Sequence, residues 1–429
     1  MKIGLEVHVA LPTKTKLFCS CSSDADEPNT AICPTCLGFP GSKPMLNEAA
    51  LKSALTVAKA LHCKINDLTY FLRKVYFYPD LPKSYQITQL DGAIGRDGYV
   101  QMGKKRVIIR RVQLEEDPAK IIREDEYSLL DFNRSGIPLN EIVTEPDIET
   151  EDELREFVSE LRSILYYAGV DINKEMKADL NISLGDERVE IKNVTGIKNL
   201  IGAERFEVKR QGELIANNQK IPKETRSYNA ETMSTVSSRE KESDEEYGFI
   251  YEPDLAAYPT REIALPEVVI ASDVARQLSS KYGANEATLK ELVAFDKNAL
   301  ALIQHGLKHS KATTVINAIE LLKRSGNITI SSDGFRKMLE YLDKGLLLNE
   351  DAIRALQENK SVEIEKDLVS TDEIDRTILE IVNERQNLVK EYKTNSKVFN
   401  FIVGIVLKKY KVNPKYISER LAAVLKDKA

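Results

Sequence analysis

The 429-residue sequence lacks the motifs of the common nucleotide-binding and hydrolytic enzymes. It has no G-x-x-x-x-G-K-S/T loop, which excludes a P-loop nucleoside triphosphatase, and no G-x-G-x-x-G fingerprint after a strand, which excludes the usual dinucleotide-binding site. It also has no G-x-S-x-G elbow, so a serine hydrolase of that kind is not indicated. Any nucleotide chemistry in this chain must therefore use other residues.

Long hydrophobic runs are absent as well. The longest strongly apolar run, residues 401–407, is far too short to cross a bilayer, and residues 1–6 contain no apolar signal-peptide segment. We therefore expect a cytoplasmic protein that does not contact the membrane.

The overall charge is modest, but it is unevenly distributed. The chain has a formal net charge of -6, whereas residues 390–429 contain ten Lys or Arg and three Asp or Glu, a local excess of seven positive charges. This asymmetry suggests an anionic partner for the C-terminal end, although a solvated helical face would have the same composition. Hydrophobic residues at 42% and charged residues at 30% are typical of a soluble globular protein, and the length suggests two to four domains.

Local patterns predict an α+β N-terminal part followed by helices. Alternation in residues 1–10 predicts a strand with Glu6 and His8 on its polar face, and residues 176–192 read as a β-hairpin. Residues 47–61 and 150–169 read as helices, the first capped by Asn47 and the second opened by a capping box. From about residue 272 the segments 272–282, 285–305, 310–325, 333–345 and 350–358 read as helices. We therefore expect domains at 1–265, 266–367 and 368–429.

Cysteine is scarce and clustered. Four of the five cysteines lie within residues 19–36, as Cys19-x-Cys21 and, eleven residues later, Cys33-x-x-Cys36. Two close pairs of thiolates suit a tetrahedral Zn²⁺ whose four positions are all filled by protein, which is a structural site. An iron–sulfur cluster is the main competing group, and reduced thiols without metal are the other alternative.

Polar residues recur on the predicted strands and at their ends. Carboxylates that converge on a sheet beside a histidine can bind Mg²⁺, and a nearby lysine can balance phosphate charge. Ordinary surface polarity would produce the same pattern. The residues concerned are Glu6, His8, Glu115, Glu116, Asp179, Glu190, Lys192 and Asn193.

Longer strings in the sequence resemble those of one known family, the B subunit of aspartyl/glutamyl-tRNA(Asn/Gln) amidotransferase. The similarity extends over nearly the whole chain. Its strings are GLEVH at 4–8, TKTKLFC at 13–19, CPTCLGFPG at 33–41, RKVYFYPDLPK at 73–83, LEED at 114–117, DFNRSGIPL at 131–139, EIVTEPD at 141–147, EIKN at 190–193, KETR at 223–226, EPDL at 252–255, FIVG at 401–404 and NP at 413–414.

The resemblance implies a fold and a reaction. It implies a cradle-like antiparallel-sheet domain, a helical domain and a small helical tail domain that binds tRNA. It also implies that ATP and Mg²⁺ are used to phosphorylate the side-chain carboxylate of Glu or Asp carried by the wrong tRNA. Ammonia from a partner A subunit then converts it to Gln-tRNA(Gln) or Asn-tRNA(Asn), and a small C subunit completes a heterotrimer.

The cysteine spacing, the polar residues of the strands and the resemblance together suggest roles for particular residues. We expect catalytic roles for Glu6, His8, Glu115, Glu116, Asp179, Glu190 and Lys192. We expect nucleotide contacts from Lys74, Lys192 and Asn193. We expect zinc on Cys19, Cys21, Cys33 and Cys36, and magnesium on Glu6, His8 and Glu116.

One segment departs from the family, and two other functions stay open. Many members have a string like HDYRYF where residues 246–251 read EYGFIY, so a contact made by that histidine or arginine is in doubt. The first alternative is the archaeal E-type subunit, or a diverged ATP-dependent ligase with the same cradle, although the length leaves no space for the inserted domain of the E type. The second is a non-enzymatic, zinc-containing tRNA-binding protein, which would not need the acidic residues.

Overall fold

The computed structural model describes residues 1–174, 176–240, 248–326, 330–345, 371–384, 396–410 and 412–427. The chain divides into two compact units, Met1–Ile270 and Ala271–Ala429. Strands and helices mix in the first unit, whereas the described part of the second is helical, which confirms the α+β class. The three-domain division stays a prediction: its first boundary, 265, lies near the division between the units, and its second, 367, lies outside the described residues.

A nine-stranded sheet organises the first unit, in the order β14-β13-β12-β11-β1-β10-β7-β6-β2. Neighbouring strands are antiparallel except β12 and β13, so the expected antiparallel sheet contains one parallel pair. The strands are β1 Lys2–Ala10, β2 Lys64–Ile65, β3 Leu68–Thr69, β4 Leu72–Val75, β5 Tyr85–Thr88, β6 Gly95–Met102, β7 Lys105–Glu116, β8 Lys120–Arg123, β9 Ser128–Asp131, β10 Pro138–Thr144, β11 Lys177–Ser183, β12 Val189–Thr195, β13 Glu224–Asn229, β14 Ser234–Glu240, β15 Gly248–Tyr251 and β16 Tyr258–Pro259.

The central strand β1 has one apolar face and one polar face. Ile3, Leu5, Val7 and Val9 are buried in the main core together with residues of α1 and α2. Because successive side chains of a strand point to opposite faces, Glu6 and His8 lie on the other side of the sheet. The burial of the apolar face fixes the register of β1 and, with it, the positions of these two polar groups.

Three helices of the first unit accompany this sheet, and two of them begin as the sequence predicts. The Asn47 side chain accepts hydrogen bonds from the amides of Ala49 and Ala50. The Thr150 hydroxyl accepts one from the Glu153 amide, and the Glu153 carboxylate accepts from the amide of Glu149 over 2.8 Å. The helices are α1 Glu48–Ala60, α2 Glu151–Tyr167 and α3 Ile197–Ala216.

The second unit differs from the sequence prediction at one helix. Residues 285–305 form two helices rather than one, because Asp296 interrupts the first and caps the second by accepting a hydrogen bond from the Ala299 amide. The predicted helix at 350–358 lies outside the described residues. No helix in the described ranges is long and apolar enough to cross a membrane. The helices are α4 Ala271–Tyr282, α5 Glu286–Val293, α6 Lys297–Gly306, α7 Ala312–Ser325, α8 Ser332–Asp343, α9 Thr371–Glu384, α10 Ser396–Lys409 and α11 Pro414–Asp427.

Candidate active site

Strand pairing brings residues distant in sequence together on the polar face. β1 lies between β10 and β11, with Glu6 opposite Asp179 and His8 opposite Glu141. Directly opposed residues of an antiparallel pair have neighbouring side chains on the same face. The short β1 segment from Glu6 to His8 is therefore flanked by acidic side chains from both neighbouring strands.

The first group of carboxylates, which we call the Glu6 cluster, consists of Glu6, Asp179 and Glu190. One carboxylate oxygen from each residue lies within 4.8 Å of one from each of the other two. Burial raises the pKa of Glu6, and the negative charges of Glu141, Asp179 and Glu190 raise it further. This arrangement favours a cation among the three carboxylates.

Lys192 is the cation in contact with the Glu6 cluster. Its Nζ lies 2.9 Å from Asp179 Oδ2 and 3.2 Å from Glu190 Oε1. Burial alone would lower the pKa of Lys192, but the two carboxylates more than offset it, so the pKa is raised and the side chain is charged. Asn193 adopts a left-handed backbone conformation, φ 56°, and its amide donates a 2.7 Å hydrogen bond to Asp179 Oδ1. The β12 segment thus holds Asp179 from two sides.

A second group, the His8 cluster, consists of His8, Glu115 and Glu141. His8 Nε2 lies 3.5 Å from Glu115 Oε1 and 3.7 Å from Glu141 Oε2. Burial opposes protonation of His8, yet the hydrogen bond to Glu141 and the charges of both carboxylates raise its pKa to about 10. The imidazole is therefore protonated at neutral pH.

The two carboxylates of the His8 cluster differ from each other. Burial and the charge of Glu141 raise the pKa of Glu115 to about 7, whereas the hydrogen bond and charge of His8 lower that of Glu141 despite its burial. Thr88 donates a 2.9 Å hydrogen bond to Glu115, and Gln113 donates one of 2.8 Å to Glu141. The Lys74 charge lowers the pKa of both carboxylates, which indicates that Lys74 lies near this cluster.

Glu116 lies apart from both clusters, and the expected magnesium set of Glu6, His8 and Glu116 is therefore not one ligand group. The physical reason is the strand itself, since Glu115 and Glu116 are consecutive residues of β7 and point to opposite faces. Glu116 accepts hydrogen bonds from Lys83 and from the Ile87 amide. It lines a separate cavity beside the cysteines.

The four cysteines predicted to bind zinc do converge. The sulfur atoms of Cys19, Cys21, Cys33 and Cys36 lie within 4.8 Å of one another. Four soft thiolate donors at this spacing fit a tetrahedral Zn²⁺ and do not fit Mg²⁺ or Ca²⁺.

Other segments hold the loop that carries the cysteines. Asn29 donates to the Leu130 carbonyl and accepts from the Phe132 amide. Asn133 donates to the Glu27 carbonyl and accepts from the Ala31 amide. The cysteine loop is therefore attached to β9 and to the residues that follow it.

Sequence reasoning did not assign a role to Glu141, which belongs to the His8 cluster. It lies in β10, where all seven residues are buried. A glutamate in the run from Leu139 to Val143 indicates a polar partner nearby, because a carboxylate is rarely buried without a partner. Without the pairing of β10 with β1, however, nothing in the sequence connected Glu141 with His8.

A cleft opens beside the Glu6 cluster. Its volume is about 570 Å³, which is within the range of small-molecule sites. The Asn181 amide donates to Glu6 over 3.3 Å, while its buried Oδ1 has no hydrogen-bond partner among the described residues. Arg110 and Arg188 add positive charge to the wall. Glu6 is thus accessible from the cleft to a molecule with polar and anionic parts.

Comparisons with known proteins agree with this geometry. Residues 1–266 match the family described as the GatB/GatE catalytic domain. The B subunit of aspartyl/glutamyl-tRNA(Asn/Gln) amidotransferase from Saccharolobus solfataricus is 40% identical, covering 95% of each chain. The proteins of the same name from Methanoregula boonei and a Thermotoga species are 37% and 36% identical, each covering 99% of this chain and 98% of the relative. The matched region contains both carboxylate clusters and the four cysteines, and this chain belongs to the GatB/GatE family as the B subunit of an aspartyl/glutamyl-tRNA(Asn/Gln) amidotransferase.

Proposed function

We propose that this chain supplies the ATP-using active site that amidates Glu-tRNA(Gln), Asp-tRNA(Asn) or both. ATP phosphorylates the side-chain carboxylate of the misattached amino acid, and ammonia then displaces phosphate to leave the amide. The observation that carries the proposal is the polar sheet face, where two clusters contain five buried or half-buried carboxylates and one of these, Glu6, lines a cleft of about 570 Å³. Phosphoryl transfer of this kind needs charge compensation and positioning rather than a protein nucleophile.

Charge balance on this face supports the use of a divalent cation. Lys192 and protonated His8 contact carboxylates of the two clusters, and Arg111 lies 3.8 Å from Glu141. A triphosphate would add more negative charge. The Glu6 cluster offers three carboxylates, the donors that Mg²⁺ prefers, so we assign Mg²⁺ to Glu6, Asp179 and Glu190. When bound there, Mg²⁺ would offset charge on the transferred phosphoryl group.

We assign phosphate binding to the β12 lysine. Lys192 is held between Asp179 and Glu190, and about a third of its side chain is exposed. An ammonium so positioned can donate to a phosphate oxygen without losing its carboxylate partners. Lys74 and Asn193 stay candidates for nucleotide contacts, because Lys74 acts electrostatically on the His8 cluster and Asn193 orients Asp179.

We assign proton handling to the His8 cluster. One imidazole nitrogen, Nε2, lies 3.5 Å from Glu115 and 3.7 Å from Glu141, so the proton on that nitrogen can be given to either carboxylate without a large movement. The attacking ammonia must lose a proton when the amide forms, and a buried carboxylate such as Glu115 is chemically suited to accept it.

The remaining parts of the proposal concern partners and location. We infer that the ammonia comes from a glutamine-hydrolysing A subunit and that a small C subunit completes the complex in the cytoplasm. The four cysteines bind a structural Zn²⁺ in this proposal, and the basic segment 390–429 binds tRNA through its phosphates.

The test is conversion of charged tRNA by the reconstituted complex. Glu-tRNA(Gln) and Asp-tRNA(Asn) are each incubated with ATP and glutamine, and Glu6→Gln is compared with Glu187→Gln, an exposed carboxylate next to β12. We expect Glu6→Gln to lose ATP-dependent amidation and Glu187→Gln to retain it. Full activity of Glu6→Gln would contradict the assignment of chemistry to this face, and full activity of Glu116→Gln would remove that residue from the catalytic set.

The same preparation tests the alternatives. Copurification with an asparaginase-like subunit instead of an amidase-type A subunit would favour the E-type reading. Binding of tRNA without ATP turnover in the complete complex would favour a non-enzymatic RNA-binding protein.

A further inference from the structure

Lys16 is a fully buried lysine, with 0% of its surface exposed. Burying an ammonium is costly unless an anion and hydrogen-bond acceptors replace water. Across the residues that the structure describes, no carboxylate lies within ion-pair distance of Lys16. Its Nζ instead lies 3.7 Å from Cys36 Sγ and 3.1 Å from the Phe132 carbonyl oxygen. The Cys36 sulfur is thus the anion available to compensate this charge.

The backbone places Lys16 beside the cysteines. Its amide donates a 3.0 Å hydrogen bond to the Cys21 carbonyl, so Lys16 belongs to the base of the cysteine loop. Its stem runs along Gly136, where an added Cβ would lie 3.4 Å from Lys16 Cδ. The Leu17 amide donates to the Gly136 carbonyl over 2.7 Å, which fixes the loop against the lysine. The ammonium therefore has little freedom to turn away from Cys36.

We propose that Lys16 is an outer-sphere residue of the metal site, where its ammonium hydrogen-bonds the Cys36 thiolate and stabilises the bound metal. Four thiolates and one Zn²⁺ carry a formal charge of about −2, which is unfavourable in a buried setting. One ammonium in contact halves that charge. The Cys33 amide also donates to Cys36 Sγ, over 3.2 Å, so this sulfur has two donors and is the ligand best supported by its surroundings.

The same contact links the metal to a neighbouring segment. Lys16 bonds the Phe132 carbonyl, and the Gly136 amide donates to the Asp117 carbonyl just beyond the end of β7. Removing the metal takes away the ion that would hold the four sulfur atoms together, among them the Cys36 Sγ that Lys16 contacts. We therefore expect metal loss to release Lys16 and to loosen the segment from Phe132 to Gly136.

The experiment compares variants of the full chain by metal binding rather than by amidation. Lys16→Met keeps the length of the side chain and removes both charge and donor, while Lys14→Met changes an exposed lysine two residues away. We expect Lys16→Met to bind zinc about 10 to 100 times more weakly in competition with a chromogenic chelator, and Lys14→Met to match wild type. With Co²⁺ as the probe, Lys16→Met should shift the sulfur-to-cobalt charge-transfer band to longer wavelength, because a thiolate without its donor gives up electrons more easily.

Unchanged zinc affinity and an unchanged cobalt band in a folded Lys16→Met protein would overturn the proposal. If that variant does not fold, wild-type protein provides a second measurement with an amine-reactive reagent. Lys16 should be unreactive in the zinc-loaded chain and reactive after chelation, and a Lys16 that stays protected without metal would contradict us. The inference rests on the proposed zinc site but not on the amidation reaction. Wild-type protein that binds no zinc refutes the site itself, so the two failures are distinguishable.

Discussion

The cysteine cluster and the Glu6 cluster are built in opposite ways. The four cysteines come from 18 consecutive residues, 19–36, and are held by turns and loop contacts. Glu6, Asp179 and Glu190 come from three neighbouring strands and span most of the first unit. A local cluster needs only the correct spacing, whereas a cluster on a sheet needs the correct strand order and register. The second kind exists only when the whole unit has folded.

Each cluster also has one lysine, and the two lysines differ in exposure. Lys16 has no exposed surface, while about a third of the Lys192 side chain is exposed. A closed site with all positions filled by protein is typical of a structural metal, and an open one is typical of catalysis. The comparison therefore predicts that changes in the Glu6 cluster affect the reaction, and changes in the cysteine cluster affect the fold.

The largest effect should come from Asp179→Asn. This change keeps the shape of the side chain but removes the charge that binds Lys192 and that we assign to Mg²⁺. Loss of one preorganised electrostatic contact costs about 10² to 10³ in rate. We expect kcat for amidation to fall by that factor, with a melting temperature close to that of wild type. A large fall in melting temperature would show that the Glu6 cluster supports the fold and would contradict the contrast drawn between the two clusters.

Lys192→Met should have the next largest effect. A charged hydrogen bond contributes about 1.5–3 kcal/mol, which corresponds to roughly a tenfold to hundredfold change in rate. We expect kcat/KM for ATP to fall by this factor and Lys192→Arg to recover part of it. If kcat/KM for ATP is unchanged, Lys192 only neutralises its carboxylate neighbours.

Cys33→Ser should act mainly on stability. Without one of four thiolates the chain should lose zinc, and its first unit should melt roughly 5 to 10 °C lower. Cys63→Ser is the matched control, since Cys63 lies outside the cluster. Zinc content and thermal unfolding measure both variants, and we expect amidation below the melting transition to change less than with Asp179→Asn. A Cys33→Ser protein of wild-type stability with no activity would reverse the assignment of the two clusters.

The smallest effect should come from Glu204→Gln, which tests whether burial alone makes a carboxylate important. Glu204 is buried in α3 outside both clusters, and burial raises its pKa, helped by the charge of Glu151. Glu204 has a higher pKa in the folded protein than its value of 4.5 in the unfolded chain. The folded protein is therefore destabilised relative to the unfolded chain as the pH rises from 4.5 through the folded-state pKa. Gln cannot ionise, so we expect the variant to melt a few degrees higher at about pH 7.5 and no differently at about pH 4. A loss of stability at the higher pH would contradict this reading.

The sequence predicted what depends on near neighbours. Cysteine spacing, the Asn47 cap and the 176–192 hairpin are local features, and each appears in the structure. Asp296 shows the limit of periodicity, because a suitable apolar pattern continued across a residue that begins a new helix. The spacing of apolar residues shows which face of a helix is buried. A single capping side chain can decide where one helix ends and the next begins.

Most residues of the acidic face could be predicted from the sequence, but their division into two clusters could not. Its residues were recognised from strand alternation and from family resemblance, yet Glu116 was grouped with Glu6 and His8, and Glu141 was missed. Alternation states which residues share a face of one strand, and it does not state which strand lies next to which. That information is carried by long-range pairing, such as that of β1 with β10 and β11.

The position of β1 has a consequence for synthesis of the protein. This strand leaves the ribosome before either neighbour, because β10 and β11 begin at Pro138 and Lys177. At translation rates of about 5–20 residues per second, β1 waits roughly 10 to 35 s for its second partner. During that time an apolar strand with two unpaired edges is exposed in the nascent chain, where it is open to aggregation. We expect the yield of folded protein to depend on chaperones that shield the first strand until the hairpin from Lys177 to Thr195 has emerged.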